Sequence, residues 1–261
     1  MNRLVPCFLG LFFGCDLLSV SLPSLNAAES KTLLIVYTGN LLAELKPCGC
    51  SKEEDQGGIE RRMQYLKDLR KNKPNLLLLD TGDHFKEPTR QGKLKAETLM
   101  KATEMMNYDY VALGERDLVY GSQFLKNQSV PFIAGNIELE NLPLKKLRTK
   151  EFKNRLKVAT LSVVDPNLFY LKNHAGLKIL DPDQFVSQEI SKIQESNPDL
   201  TVLITHMDRK KAMKFLGKAG VDIVINGHIF DETDTVDMKP FYKNNKVFVQ
   251  ASPRGQKMGE I

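Results

Sequence analysis

Apolar residues fall along this chain in short blocks, each broken by glycine or proline and followed by a charged stretch with helical spacing. The densest block lies in residues 75–85, Asn-Leu-Leu-Leu-Leu-Asp-Thr-Gly-Asp-His-Phe. Four leucines between Pro74 and Gly82 are too few for a globular helix, and their lack of alternation predicts a parallel strand covered on both faces. The same reasoning predicts strands over residues 32–37, 108–113, 131–134, 156–164, 201–205, 221–225 and 246–250. Helical spacing begins at Ile59 and continues through Met63, Leu66 and Leu69. It recurs over residues 94–106, 121–127, 183–196 and 209–219, with Phe185, Val186, Ile190 and Ile193 on one face of the fourth helix. Residues 136–155 are polar and lysine-rich and read as an excursion over the surface. Alternating strands and helices predict one layered α/β domain with mostly parallel central strands. No repeat, low-complexity tract or linker divides it.

The first 28 residues break this pattern. Arg3 gives a positive start, residues 4–14 are apolar, and small residues follow near Ala27 and Ala28, the layout of an export signal. Asp16 interrupts the apolar run and argues against a permanent membrane span. The alternative is lipid attachment at Cys15, which would anchor the protein to a membrane. Either reading places the mature domain, residues 29–261, in the periplasm or otherwise outside the cytoplasm. Of the four cysteines, Cys7 and Cys15 belong to this segment, leaving Cys48 and Cys50. Two positions apart, they could close only a strained ring, so a disulfide framework is not expected.

The rest of the composition is that of a soluble globular chain, 42% hydrophobic and 26% charged. The net charge of +5 comes from lysine-rich segments such as residues 145–157. None carries the interleaved aromatics of a single-strand nucleic-acid binder, so nucleic acid is not an expected partner.

In α/β sheets, ligands bind beyond the carboxyl ends of strands. The residues that follow predicted strands here are Asn40, Asp83, Glu115, His206 and His228. Asp83 by itself suits a turn or helix cap, and either histidine by itself suits a hydrogen-bonded loop. Two imidazoles and two carboxylates at the same end of successive strands make a candidate site for zinc, manganese or iron.

These segments resemble the calcineurin-like metallophosphoesterases, in particular the amino-terminal domain of exported bacterial 5'-nucleotidases and of sulfur-oxidation thiosulfohydrolases. Leu79-Asp80-Thr81-Gly82-Asp83 resembles the family's Gly-Asp motif, and Gly114-Glu115-Arg116-Asp117 followed by Tyr120-Gly121 its Gly-Asn-His-Glu motif. Ile204-Thr205-His206 and Gly227-His228-Ile229-Phe230 resemble the two histidine motifs, and Val249-Gln250-Ala251-Ser252 with Gly259 the closing segment. The resemblance implies an α/β, layered β-sandwich flanked by helices. It also implies a hydrolase of phosphate esters or related oxyanions that depends on divalent metal. No segment resembles the carboxyl-terminal domain that grips the nucleoside in two-domain 5'-nucleotidases, so nucleotide specificity is not implied.

The departures fall on one side of the implied two-metal site. Where the family has Asp-x-His this chain has Asn40-Leu41-Leu42, and Phe230 stands for the last histidine ligand. The other metal keeps Asp83, Glu115 in place of asparagine, His206 and His228. The expectation is one divalent ion, Mn, Zn or Fe, on those four residues. Arg116 replaces the histidine that assists the leaving group and would clamp substrate oxygen, together with Asn40. Pro47-Cys48-Gly49-Cys50 and Gly57-Gly58-Ile59-Glu60-Arg61-Arg62 are similar to a variant branch of the 5'-nucleotidase-like proteins. Cys48 and Cys50, with His84, are therefore candidate soft ligands or a thiol pair, set against free cysteines in a glycine turn. The alternative function is a non-catalytic metal- or oxyanion-binding module in which those thiols carry the role.

Overall fold

The structure, a computed structural model, describes residues 31–49, 51, 55–169, 176–229 and 236–261. The amino-terminal signal, Cys15, Cys50 and Phe230 lie outside the described residues. The first half of the chain runs β1 (Leu34–Thr38), α1 (Ile59–Asn72), β2 (Leu76–Asp80), α2 (Arg90–Met105), β3 (Tyr110–Ala112), α3 (Gly121–Lys126) and β4 (Phe132–Ile133). Then come β5 (Ile137–Leu139), β6 (Leu147–Glu151), β7 (Lys157–Val164), β8 (Leu177–Ile179) and α4 (Pro182–Glu195). The chain continues through β9 (Leu200–His206), α5 (Arg209–Lys214), β10 (Ile223–Asn226), β11 (Phe241–Lys243), β12 (Lys246–Gln250) and β13 (Gly259–Glu260).

Two sheets stack face to face. One has the order β13-β1-β2-β3-β4 and the other β11-β12-β10-β9-β7-β6. Strands β1 to β4 are mutually parallel, as are β7, β9, β10 and β12. Antiparallel β13, β11 and β6 close the edges. The leucine block shows why its sequence does not alternate. Leu77 and Leu79 point into the core between the sheets, against Val202, Ile204 and Ile225. Leu76 and Leu78 point the other way, against Leu66 of α1 and Leu99 and Met100 of α2. The second sheet is covered likewise by Phe185, Val186, Ile190 and Ile193 of α4 and Ala212 of α5. The layering is helix, sheet, sheet, helix, the expected sandwich.

The structure corrects the sequence reading in several places. Residues 136–155 are not a plain excursion, since they contain β5 and β6. β6 is an edge strand bonded on one side only, so Arg148 and Lys150 keep partial exposure and the apolar signal of a strand is absent. β11 is exposed throughout and joins β12 through Asn244-Asn245, both in the left-handed region, a two-residue hairpin turn. α2 starts earlier than its apolar spacing, at Arg90, because Thr89 caps it by accepting from the Gly92 N–H at 2.9 Å. α5 ends at Lys214 and continues only as a tight turn over Phe215–Gly217. No helix among the described residues is long and apolar enough to cross a membrane.

Leu79 has no exposed surface and sits between the sheets. Leu79→Ala should lower the unfolding free energy by about 2–5 kcal/mol, measured from urea midpoints. A loss well under that range would mean the two sheets are not closely packed there.

Candidate metal centre

Because the central strands of each sheet run parallel, their carboxyl ends gather at one rim. Asp83 follows β2 and Glu115 follows β3 of the first sheet; His206 ends β9 and His228 follows β10 of the second. One ligand atom from each of the four lies within 4.8 Å of the others. The sequence-predicted set therefore converges, and it does so across the seam between the sheets.

Local backbone makes this approach possible. Gly82 has φ 94°, and a Cβ there would stand 2.5 Å from the Gly114 nitrogen. Gly114 is needed for proximity instead: its Cβ would lie 2.2 Å from Asp83 Oδ1 and 2.8 Å from His206 Nε2. Asp83 itself takes φ 60°, an uncommon conformation for a side-chain-bearing residue, and such strain collects at functional sites.

His206 is buried and its Nδ1 lies 3.0 Å from the Thr81 carbonyl. With the proton on Nδ1 donated there, the Nε2 lone pair is directed at the cluster, the arrangement typical of metal-ligating histidine. Nε2 stands 2.7 Å from Glu115 Oε2 and 3.4 Å from Asp83 Oδ2, and His228 Nδ1 stands 3.4 Å from Glu115 Oε1. Yet Glu115 Oε2, His206 Nε2 and His228 Nδ1 are all buried without a properly aligned hydrogen bond. Buried polar atoms are rarely left so. Three of them converging, in a mixed set of oxygen and nitrogen donors, fits a divalent cation.

The electrostatics agree. Burial, reinforced by the nearby Glu115 charge, raises the Asp83 carboxyl although His206 pulls the other way. Burial opposes ionisation of Glu115 too, but His206 and His228 hold it well below the ordinary carboxylate range. Burial alone would depress His206, and the Asp83 and Glu115 carboxylates outweigh it and lift the imidazole well above its usual value. The pocket calls for positive charge, which without metal comes from a proton on His206 and from the Arg116 guanidinium beside Asp83.

Asn40, Leu42 and Arg116 line a small pocket with Asp83, Ile229 and Pro253. The Arg116 N–H donates to Asp83 Oδ1 at 3.1 Å, and its Nε lies 3.7 Å from Oδ2. Asn40 is buried in the left-handed region, and its amide donates to the Gly227 carbonyl at 2.5 Å. This bond runs from the end of β1 in one sheet to the end of β10 in the other.

Two of the sequence candidates lie elsewhere. His84 does not join the four: it is fully buried, with Nδ1 3.0 Å from Asp117 Oδ1 and Nε2 3.1 Å from Asp80 Oδ1. Burial would lower its pKa, but Asp80 and Asp117 raise it to about 10, and Asp80 is in turn held low by His84 against the cost of burial. Cys48 is a half-buried free thiol whose backbone pairs with Gln56, and it takes no part in the convergent group. Both His84 ring nitrogens face carboxylates, Asp117 and Asp80, and Cys50 lies outside the described residues. Sequence reasoning missed the supporting roles of Asp80, Thr81 and Asp117. The regular Gly-Glu-Arg-Asp segment was the available signal for Asp117.

A four-layer α/β/β/α sandwich with carboxylates and histidines converging at the strand ends defines a metallophosphoesterase-type domain. The chain belongs to the calcineurin-like phosphoesterase family, whose sequence pattern matches residues 48–231. It is 24% identical to rat (Rattus norvegicus) 5'-nucleotidase over 270 residues, covering 92% of this chain and 46% of that one. Among solved structures it is similar to a 5'-nucleotidase precursor from Thermus thermophilus, at TM-score 0.75 and 18% identity, covering 87% of this chain and 50% of that one. It is similar also to the calcineurin-like phosphoesterase YfkN from Bacillus subtilis, at TM-score 0.68 and 20% identity, covering 87% and 83%. The chain spans less than half the length of the curated 5'-nucleotidases it matches. The family implies use of divalent metal, and the cluster is a candidate place for it.

Asn40→Ala leaves the buried Gly227 carbonyl without this donor and should cost about 1–3 kcal/mol. Asn40→Asp, which sets a carboxylate against that carbonyl, should cost at least as much in metal-depleted protein. Thermal unfolding of both variants checks this, and wild-type stability in both would remove the cross-sheet bond from consideration.

Proposed function

We propose that the chain is an exported, metal-dependent phosphoester hydrolase of the 5'-nucleotidase-like type, working with a single divalent ion held by Asp83, Glu115, His206 and His228. The observation that carries this reading is the set of buried, unpartnered donor atoms of Glu115, His206 and His228 beside Asp83. The single-ion part is supported by the opposite half of the rim. There Asn40 spends its amide on Gly227, and Leu42, buried and apolar, lines the pocket.

When bound, a divalent ion supplies Lewis acidity toward a phosphoryl oxygen and toward water. The chain's own residues supply the rest. Arg116, partly exposed above Asp83, offers fixed positive charge to the oxygens of a small phosphate ester or similar oxyanion. Thr81 holds the His206 ring in one tautomer. Arginine cannot release its proton near neutral pH, so no group at position 116 protonates a leaving group. Substrates that need no such help should be preferred.

Export rests on the amino-terminal pattern of residues 1–28, with lipid attachment at Cys15 as its variant. Residue 116 favours a second reading, a metal or oxyanion receptor that does not turn over. One set of measurements separates the two. Purified protein should hold one divalent ion per chain, and His206→Ala should lose it. After chelation, hydrolysis of an activated aryl phosphate should return with Mn²⁺ or Zn²⁺, while an alkyl phosphate should be slower by roughly the 10²–10⁴-fold that a missing general acid costs. A bound ion with no turnover of either ester would leave the receptor; no bound ion would end the hydrolase reading and the metal form of the receptor.

A further inference from the structure

The Asp117 carboxylate is completely buried and gathers four contacts from two loops. Oδ2 accepts from the Asp83 N–H at 2.9 Å and the Gly114 N–H at 2.7 Å. Oδ1 accepts from the His84 N–H at 2.8 Å and meets His84 Nδ1 at 3.0 Å. One loop follows β2 and carries Asp83, and the other follows β3 and carries Glu115. Nothing in the sheet holds them in register, because β2 and β3 pair only at Leu79 with Tyr110 and Asp80 with Val111. Past Val111, the Asp117 side chain takes over the work of the ladder, helped by the Arg116 N–H that donates to Asp83 Oδ1 at 3.1 Å.

His84 extends the tie. Its Nε2 meets Asp80 Oδ1, and Asp80 also accepts from the Gly82 N–H at 2.8 Å and from Thr38 Oγ1 of β1 at 2.5 Å. The connection Thr38–Asp80–His84–Asp117 therefore links the ends of β1 and β2 to the turn after β3, beside the loops that carry Asp83 and Glu115. It also over-determines Asp83, whose left-handed backbone would not persist unsupported.

We propose that Asp117 and His84 are positioning residues of the cation centre: by fixing the loop of Asp83 against the loop of Glu115, they set ion affinity without touching the ion. The inference rests on the single-ion reading above. Outer partners of this kind change metal affinity by 10–100-fold when removed.

The test uses metal-depleted full-length protein titrated with Mn²⁺ or Zn²⁺ by calorimetry, with unfolding midpoints measured in parallel. Asp117→Asn presents an NH₂ group to N–H donors on one side and should weaken binding about 10–100-fold. His84→Ala should weaken it as well, and His84→Asn, whose amide can still donate to Asp117, should recover much of the loss. Ile193→Ala is the control, since buried Ile193 of α4 packs in the core on the outer face of the second sheet and belongs to neither loop. It should lower the midpoint and leave ion affinity unchanged. Wild-type affinity in folded Asp117→Asn, or in His84→Ala should Asp117→Asn not fold, overturns the positioning role. So would a loss of affinity in Ile193→Ala equal to theirs. No binding by the unaltered protein would instead overturn the metal centre itself, and the positioning role with it.

Discussion

Two carboxylates and two imidazoles meet in a seam that protein largely shields from water, and this crowding is the constraint the site is built around. Asp83 and Glu115 stand close enough for each to feel the other's charge. Their repulsion is relieved only by positive charge placed between them, since burial removes the screening of bulk solvent. The fold delivers the four groups because both sheets run their central strands in parallel and stack with the carboxyl ends on the same side. An antiparallel sandwich would scatter strand ends over both rims. The glycines at positions 82 and 114 then let the loops close to distances that a Cβ would forbid.

The two sheets contribute different chemistry. The first supplies hard oxygen donors on loop positions, and a buried ionic network of Asp80, His84 and Asp117 holds those loops. The second supplies nitrogen, and neutral amides do the stiffening. Asn226 joins the Thr205 hydroxyl, the Met207 carbonyl and Gln250, while Gln250 reaches the His228 carbonyl. This division has a physical logic. A further charge beside the histidines would compete for the cation or repel it, whereas amides orient the backbone without adding field. On the oxygen side, His84 offsets part of the charge of the two carboxylates it touches, Asp80 and Asp117.

Much of this was legible in the chain, for reasons that differ by element. The four leucines of β2 identify a doubly covered strand, and one polar residue after each buried strand locates the rim. Helices α1 and α4 have enough turns for their periodicity to show. The edge strands were not legible. β6 and β11 face solvent, so their residues obey no burial pattern, and their pairing is decided by hairpin turns and by neighbours distant in sequence. His84 was ambiguous because residues 83 and 84 are adjacent, while the backbone turn at Asp83 sends their side chains to opposite tasks. Asp117 was hidden for a related reason: a carboxylate that accepts backbone N–H groups leaves no spacing of its own. Cys48 drew attention through its rarity, and its place in a short bridge with Gln56 gives that rarity no chemical partner among the described residues.

Position 40 shows how the site and the sandwich depend on each other. An acidic residue there would add charge to the rim and need a second cation to offset it. Asparagine removes the charge and donates a hydrogen bond to Gly227 across the seam, so a neutral contact joins the sheets where an ion would otherwise do so. The remaining half of the rim cannot be joined in this way. Without metal, its carboxylates are offset only by a proton on His206, which Asp83 and Glu115 lift well above its usual value, and by Arg116 beside Asp83. A cation bound there would stabilise the folded chain in proportion to the logarithm of its concentration over Kd, about 2.7 kcal/mol at a hundredfold excess. Because such a cation would draw ligands from both sheets, its stabilisation would act on their association rather than within either one. The inter-sheet core would then have two fasteners at this rim, one fixed in the sequence and one set by metal supply.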